Sequence, residues 1–351
     1  MSPFERIPDT ALELCMIPSV TGEEQAIADH VENRLKRTVC EVHRVGNSLV
    51  ARSPGGTGAL TLLVGHLDTV PAKPGDGTPQ LDGDLLYGLG ASDMKGGIAV
   101  MLALAEALPR TDLDIGFVFY DREEGPWAES GLGPVLERLP WLKHALLAFC
   151  LEPSDNVVQV GCVGSLHAAV RFAGKAAHSA RPWQGLNAIH AAAPLLSRIA
   201  ARAPTDVDCG GFVFREVVSA TLASGGRGRN VVPDHFELNL NFRFAPSRSV
   251  AEAEQELREL VADEAEVVFT DRAPSGRVVT DNKLLRRFLK RTKADICAKQ
   301  AWTDVARLTS VGIDAVNFGP GLSAQAHQSS EYASVPLLQA CYRHFEAFLR
   351  A

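Results

Sequence analysis

The chain has 351 residues, 46% of them hydrophobic and 22% charged, with a formal net charge of −7; this length predicts two domains, the composition excludes disorder throughout, and the acidic balance argues against a groove built to grip nucleic acid. Seven cysteines (Cys15, Cys40, Cys150, Cys162, Cys209, Cys297 and Cys341) are scattered, odd in number and without a C-x-x-C pair, which excludes a disulfide framework or a cysteine zinc site and fits a reducing cytoplasm. Residues 1–15 carry Glu5, Arg6, Asp9 and Glu13 with no apolar stretch, so no secretory signal is expected, and the longest apolar run, 98–105, is far below the roughly 18 residues of a membrane span.

Ala26, Ile27, Val31 and Leu35 recur at helical spacing over 21–37, with Thr21 or a neighbour as N-cap. Residues 48–52 and 59–67 read as strands. The second holds the run Leu60-Thr61-Leu62-Leu63-Val64, suited to a sheet covered on both faces. A Gly/Pro/Asp-rich loop, 71–83, precedes a buried helix at 96–108. Strands follow at 115–120 and 145–151, and this alternation is an α/β pattern. After Gly164 the character changes. Half-exposed strands at 166–172, 212–222 and 235–244 accompany helices at 187–202 and 250–262, a small α+β insertion. From about 276 the first pattern resumes, with helices near 281–293, 304–310 and 336–349 and a strand at 315–318. The expected division is therefore a discontinuous catalytic domain, 1–164 and 276–351, interrupted by a second domain at 165–275.

Acidic and imidazole side chains gather at the ends of the apolar strands. His66 and Asp68 are two apart, so in extended chain they share a face. One can bind a metal while the other orients the imidazole. Asp93 lies in Gly90-Ala91-Ser92-Asp93-Met94-Lys95-Gly96-Gly97, Glu123-Glu124 ends one strand and Glu152 another. His327 lies in a late loop. Such a donor set suits zinc or a similar divalent ion. An aspartate can bridge two ions, and a glutamate beside them can move a proton from water to a leaving nitrogen. Each motif alone is weak. Five in order at strand ends, where α/β sheets gather ligands, are far more specific.

These stretches, from Pro18-Ser19-Val20-Thr21-Gly22-Glu23-Glu24 through Gly65-His66-Leu67-Asp68 to His327, resemble the dizinc amidohydrolase and exopeptidase family that includes succinyl-diaminopimelate desuccinylases, acetylornithine deacetylases and glutamate carboxypeptidases. The resemblance implies a zinc-exopeptidase-like three-layer α/β catalytic domain with an inserted α+β lid and dimerisation domain. It implies two divalent ions, zinc or alternatively cobalt. Asp93 would bridge them, His66 and Glu152 would complete one site, and Glu124 and His327 the other. Glu123 would be general base and acid, Asp68 would orient His66, and the Asp93–Met94 peptide would be cis.

Gly174-Lys175-Ala176-Ala177-His178-Ser179 resembles the family's lid motif, which implies that His178 steadies the oxyanion in a partner subunit and that the protein is a homodimer. Asn230, Arg243 and Gly321 fall at positions that resemble substrate-binding residues; an arginine suits a carboxylate through paired hydrogen bonds. Residues 158–164, 177–190, 228–233 and 241–246 look closest to the shorter desuccinylases typical of actinobacteria. The longer type has two arginines where Cys162 and Val163 stand, and a fuller loop where only Thr303-Asp304 is kept. The implied substrate is an N-succinylated diamino acid, N-succinyl-LL-2,6-diaminopimelate. The alternatives are an N-acetylated amino acid such as acetylornithine, or a non-catalytic binding relative, which the complete set of ligands and base argues against.

Overall fold

The structure, a computed structural model, describes residues 1–54, 58–108 and 110–350. The chain divides into two compact units: Met1–Gly161 with Val279–Cys297 and Thr303–Ala351, and Cys162–Val278 with Ala298–Trp302.

The first unit is organised by a sheet whose centre is parallel. Strand Leu60–His66 pairs in parallel with Asp114–Tyr120 on one side and Leu147–Cys150 on the other, and Ala315–Asn317 extends the parallel set. Antiparallel strands flank it, Ser48–Arg52 and then Glu41–Val45 at one side and Val158–Val160 at the other, and Ile296–Ala298 beyond the last completes the eight-stranded order. Every residue of Leu60–His66 and Asp114–Tyr120 is buried. Alternate side chains point to opposite faces, so both faces are covered, as the continuous apolar runs require.

Helix Gly96–Ala107 is buried along most of its length because it packs its apolar residues all round. Its glycines permit a close approach: a Cβ on Gly97 would lie 2.6 Å from the Leu151 carbonyl oxygen. Helix Val335–Leu349 adds Phe345 and Phe348, whose rings meet Phe149 and Phe288 at centroid separations of 5.3–5.6 Å. Burying each phenylalanine contributes about 2–3 kcal/mol. Parallel strands end on the same edge of the sheet. The residues after His66, Tyr120 and Cys150 therefore emerge side by side.

The second unit is a five-stranded sheet in the order Thr205–Asp208, Val213–Gly225, His235–Phe244, Gly164–Ala173, Glu266–Ala273. Leu166, Ala168, Val170 and Phe172 alternate toward cores that include Leu195 and Ile199 of helix Ala193–Ala201 and Leu257 of helix Val250–Val261. The second helix carries a capping box between Ser249 and Glu252.

Two local expectations need correction. The helix placed at 21–37 spans Gln25–Leu35, and its N-cap residue Glu24 makes no side-chain cap bond. Thr21 does not cap it, because the Thr21 hydroxyl donates to Asp68 Oδ2 at 2.9 Å. The helix placed at 187–202 is two helices, Ala188–Ala191 and Ala193–Ala201, with Asn187 capping the first and Pro194 in the opening turn of the second. Proline lacks the N–H a continuous helix needs and is accommodated in a first turn. Helix Ile7–Cys15 and strand Glu266–Ala273 lie outside the elements expected from the sequence. Among the described residues, no helix is long and apolar enough to cross a membrane.

Candidate metal centre

The metal-type side chains of the first unit converge at the carboxyl edge of its parallel strands. His66 closes Leu60–His66 and is 1% exposed. Its Nδ1 lies 3.0 Å from the Asp68 carbonyl oxygen and 3.5 Å from Asp68 Oδ1, while Nε2 faces Asp93 Oδ1 at 3.2 Å. Burial lowers the imidazole pKa, but Asp68 and Asp93 outweigh it and hold the group well above its ordinary value. Asp68 is fully buried. Its Oδ1 accepts the Glu123 N–H and its Oδ2 the Glu124 N–H, both at 3.0 Å. Burial opposes its ionisation, yet His66 and these N–H groups keep its pKa below the ordinary carboxylate value.

Asp93 sits in the wide turn Ala91–Lys95, where it leaves helical dihedrals at φ −122° and ψ 90°. The Asp93–Met94 peptide is cis. The turn is anchored by Glu331, a buried carboxylate that accepts N–H groups from Gly90 at 2.9 Å, Ser92 at 2.7 Å and Asp93 at 2.9 Å. Burial pushes the Glu331 carboxyl up to about 7. The adjacent Lys95, also buried, donates to the Ile17 carbonyl at 2.8 Å.

His327 approaches the same aspartate from its other oxygen. Its Nε2 lies 3.7 Å from Asp93 Oδ2 and 2.7 Å from Glu124 Oε1, and the Glu124 contact raises the imidazole pKa. Ligand-type atoms of His66, Asp93 and Glu124 all lie within 4.8 Å of one another. Glu152 is buried after strand Leu147–Cys150, close enough for its charge to act on His66 and Glu123. Burial, with the negative charges of Glu152 and Glu124, raises the Glu123 carboxyl well above its ordinary value.

So many carboxylates beside two imidazoles form a donor set that fits divalent cations. Oxygen and imidazole nitrogen are the ligands zinc takes, and positive charge offsets the mutual repulsion of Asp93, Glu123, Glu124 and Glu152.

Three residues that the sequence does not mark as part of the site support this centre. Thr21 and Glu331 hold Asp68 and the Asp93 turn. Asp304, fully buried, pairs with Arg307 at 2.9 Å, and that guanidinium lies 3.7 Å from the centroid of the Trp127 ring and donates to the Trp127 carbonyl at 2.6 Å. The loop after Glu123-Glu124 is thereby pinned. The only sequence signals were an acid four positions beyond His327 and the retained Thr303-Asp304 pair. Gly321 has a packing reason of its own: a Cβ there would lie 2.1 Å from the Ser92 carbonyl oxygen.

The other expected site residues lie in the second unit. Ala177-His178 pairs antiparallel with Val231-Val232, and the Ser179 N–H donates to the Asn230 carbonyl at 2.9 Å, so His178 and Asn230 are neighbours. His178 is exposed, and its Nδ1 accepts the Ala180 N–H at 3.0 Å. The proton of a neutral ring is thus on Nε2, free to donate outward. Arg243 is not beside them. It lies near the far end of strand His235–Phe244, half-buried, with Nε donating to Asn241 Oδ1 at 2.9 Å. Cys162 and Val163 are fully buried.

Comparison with known proteins agrees with this architecture. A Mycobacterium tuberculosis protein that carries the name succinyl-diaminopimelate desuccinylase DapE is 39% identical over 322 residues, covering 91% of each chain. A succinyl-diaminopimelate desuccinylase of Corynebacterium glutamicum is 36% identical over 335 residues, covering 91% of this chain and 89% of that protein. The fold matches the crystal structure of a Staphylococcus aureus tripeptidase with a TM-score of 0.80 at 21% identity, covering 99% and 98% of the two chains. Residues 62–351 match the family described as Peptidase family M20/M25/M40, and the chain belongs to that family.

Proposed function

We propose that this chain hydrolyses the amide of N-succinyl-LL-2,6-diaminopimelate to succinate and LL-2,6-diaminopimelate, a step toward diaminopimelate and lysine. It is a metal-dependent amide hydrolase of its family, and relatives named as desuccinylases span nearly its whole length. The observation that carries the chemistry is the placing of one imidazole on each oxygen of Asp93: His66 at Oδ1 and His327 at Oδ2.

His66, Glu152 and Asp93 would hold one divalent ion and Asp93, Glu124 and His327 the other, with zinc preferred and cobalt able to substitute; together they would supply Lewis-acid activation of water and of the amide carbonyl. The Glu123 carboxylate takes the proton of the attacking water and returns it to the departing amine nitrogen. Its raised pKa suits a group that must both accept and donate. Asp68 holds the His66 ring and, through two N–H groups, the backbone of the Glu123-Glu124 pair. Arg243 and Asn230 bind the substrate, with Gly321 shaping the wall behind Ser92.

His178 of the partner subunit donates from Nε2 to the oxyanion. Two features of the second unit support a homodimer. The outer edge of strand Val213–Gly225 pairs with Thr205–Asp208 only as far as Glu216, and Leu222 beyond it is 71% exposed. Two copies can join such edges about a two-fold axis. Strand His235–Phe244 also separates the Asn230–His178 end from Arg243, by roughly 27 Å between His235 and Arg243 at about 3.4 Å per residue. A small substrate that meets both groups meets them on different copies.

The test offers N-succinyl-LL-2,6-diaminopimelate and N-acetylornithine to the purified, zinc-loaded protein. Turnover of the succinyl compound is expected. Turnover of the acetyl compound alone, or of neither, overturns the substrate assignment.

A further inference from the structure

His327 is a surprising residue to find well aimed. It lies at φ +60° in a loop, its side chain is 49% exposed, and Ser330 in the same loop lies at φ +56°. Side-chain packing cannot hold a ring so open to solvent, and left-handed dihedrals are uncommon for residues other than glycine. The loop expected at 71–83 ends in strand Gln80–Asp82, and hydrogen bonds from its turn at 73–76 hold the backbone instead. The Asp76 carboxylate receives the Ser330 N–H on Oδ1 at 3.0 Å and the Lys73 N–H on Oδ2 at 2.6 Å. The Ser330 hydroxyl donates to the Gly75 carbonyl at 3.0 Å. The turn that Asp76 closes, with its own N–H on the Lys73 carbonyl at 3.1 Å, delivers the Lys73 ammonium to the carbonyl oxygen of His327.

We propose that Asp76 is a positioning residue for His327: it fastens the 73–76 turn to the 327–330 loop and so presents the imidazole to Glu124 and Asp93. Lys73 is the second half of the same clamp. This rests on the reading of His327 as a metal ligand. Asp76 touches neither substrate nor metal; it fixes the backbone from which one ligand projects. The opposite half of the centre has its own supports, because His66 is held by Asp68 and the Asp93 turn by Glu331. Loss of Asp76 therefore weakens one ion and spares the other.

The test is binding of Co²⁺ to the full-length metal-free protein, followed by equilibrium dialysis and by the visible absorption of each bound equivalent. Wild-type protein is expected to bind two ions. Asp76→Ala should keep the first equivalent at wild-type affinity and lose about ten-fold or more in the second, the range seen when an outer partner of a ligand is removed. Asp76→Asn, which keeps an oxygen for the Ser330 N–H, should fall between, and Lys73→Met should weaken the same equivalent. A fold-wide defect would lower both equivalents together, and that result overturns the proposal. So does an Asp76→Ala protein that binds both ions as wild type does. His327→Ala separates the two ideas: if it still binds two ions with unchanged affinity, the ligand role of His327 fails and the clamp fails with it, whereas loss of one equivalent in His327→Ala but none in Asp76→Ala removes the clamp alone.

Discussion

The backbone N–H of Glu123 donates to Asp68 Oδ1 at 3.0 Å. One buried carboxylate thus holds the backbone of the proposed base, and the same residue faces the His66 ring with its carbonyl oxygen and Oδ1. Asp68→Ala is expected to lower kcat about 10–100-fold and to weaken metal binding, because both the imidazole and the acidic pair lose their support. Steady-state kinetics with metal analysis check it. A change confined to KM would show that Asp68 does not act through these groups.

Glu123→Gln removes the proton carrier and keeps the shape. Activity should fall about 10²–10⁴-fold, the usual span for a general acid–base group, while the metal content stays at the wild-type value. If the variant loses metal together with activity, Glu123 is a ligand and not the base.

Glu331 accepts three N–H groups in a buried place, so an amide cannot replace it cleanly. Glu331→Gln turns an NH2 toward donors and leaves at least one N–H without an acceptor, a cost of about 1–3 kcal/mol. A lower Tm and a lower kcat are expected, since the anchored turn carries Asp93. Thermal unfolding and kinetics on the same preparation test it, and an unchanged Tm would contradict the role.

Removing metal should abolish hydrolysis, and added zinc or cobalt should restore it. Stability should fall as well, because ions that bind only the folded chain stabilise it by about 2.7 kcal/mol for each site when free metal is a hundred-fold above Kd. Calorimetry of chelated and reloaded protein reads this directly. Equal Tm values for the two forms would argue that the carboxylate cluster holds no ion.

If His178 acts in the partner subunit, two inactive variants should rescue one another. His178→Ala and Glu123→Gln are each expected to be nearly inactive. After mixing and exchange, half the dimers are mixed and each carries one intact site, so activity should return to about one quarter of wild type. No recovery, in a mixture that demonstrably exchanges subunits, would place His178 in its own subunit or outside catalysis.

Much of this was legible along the chain. Strand Leu60–His66 announced itself as a continuous apolar run, and the acid and imidazole residues just past it and its neighbours stood out because parallel strands must end on one edge. Boundaries were less legible where two rules competed. Thr21 looks like a helix cap by composition, but a buried carboxylate 47 positions later takes its hydroxyl. The single helix expected at 187–202 overlooked what Pro194 does to the ladder of N–H groups.

The amino-acid sequence by itself determined the α/β alternation, the change of pattern near Gly164 and the acid and imidazole residues at strand ends, because these follow from local periodicity and from residue chemistry at fixed spacing. Only the tertiary structure decided that Glu331 anchors the turn of Asp93, that Asp76 holds the loop of His327, and that Arg243 stands a strand's length from Asn230. The first two join hydrogen-bonding groups 239 and 254 positions apart. A buried donor must find an acceptor wherever folding brings one, and no local pattern records which it will be.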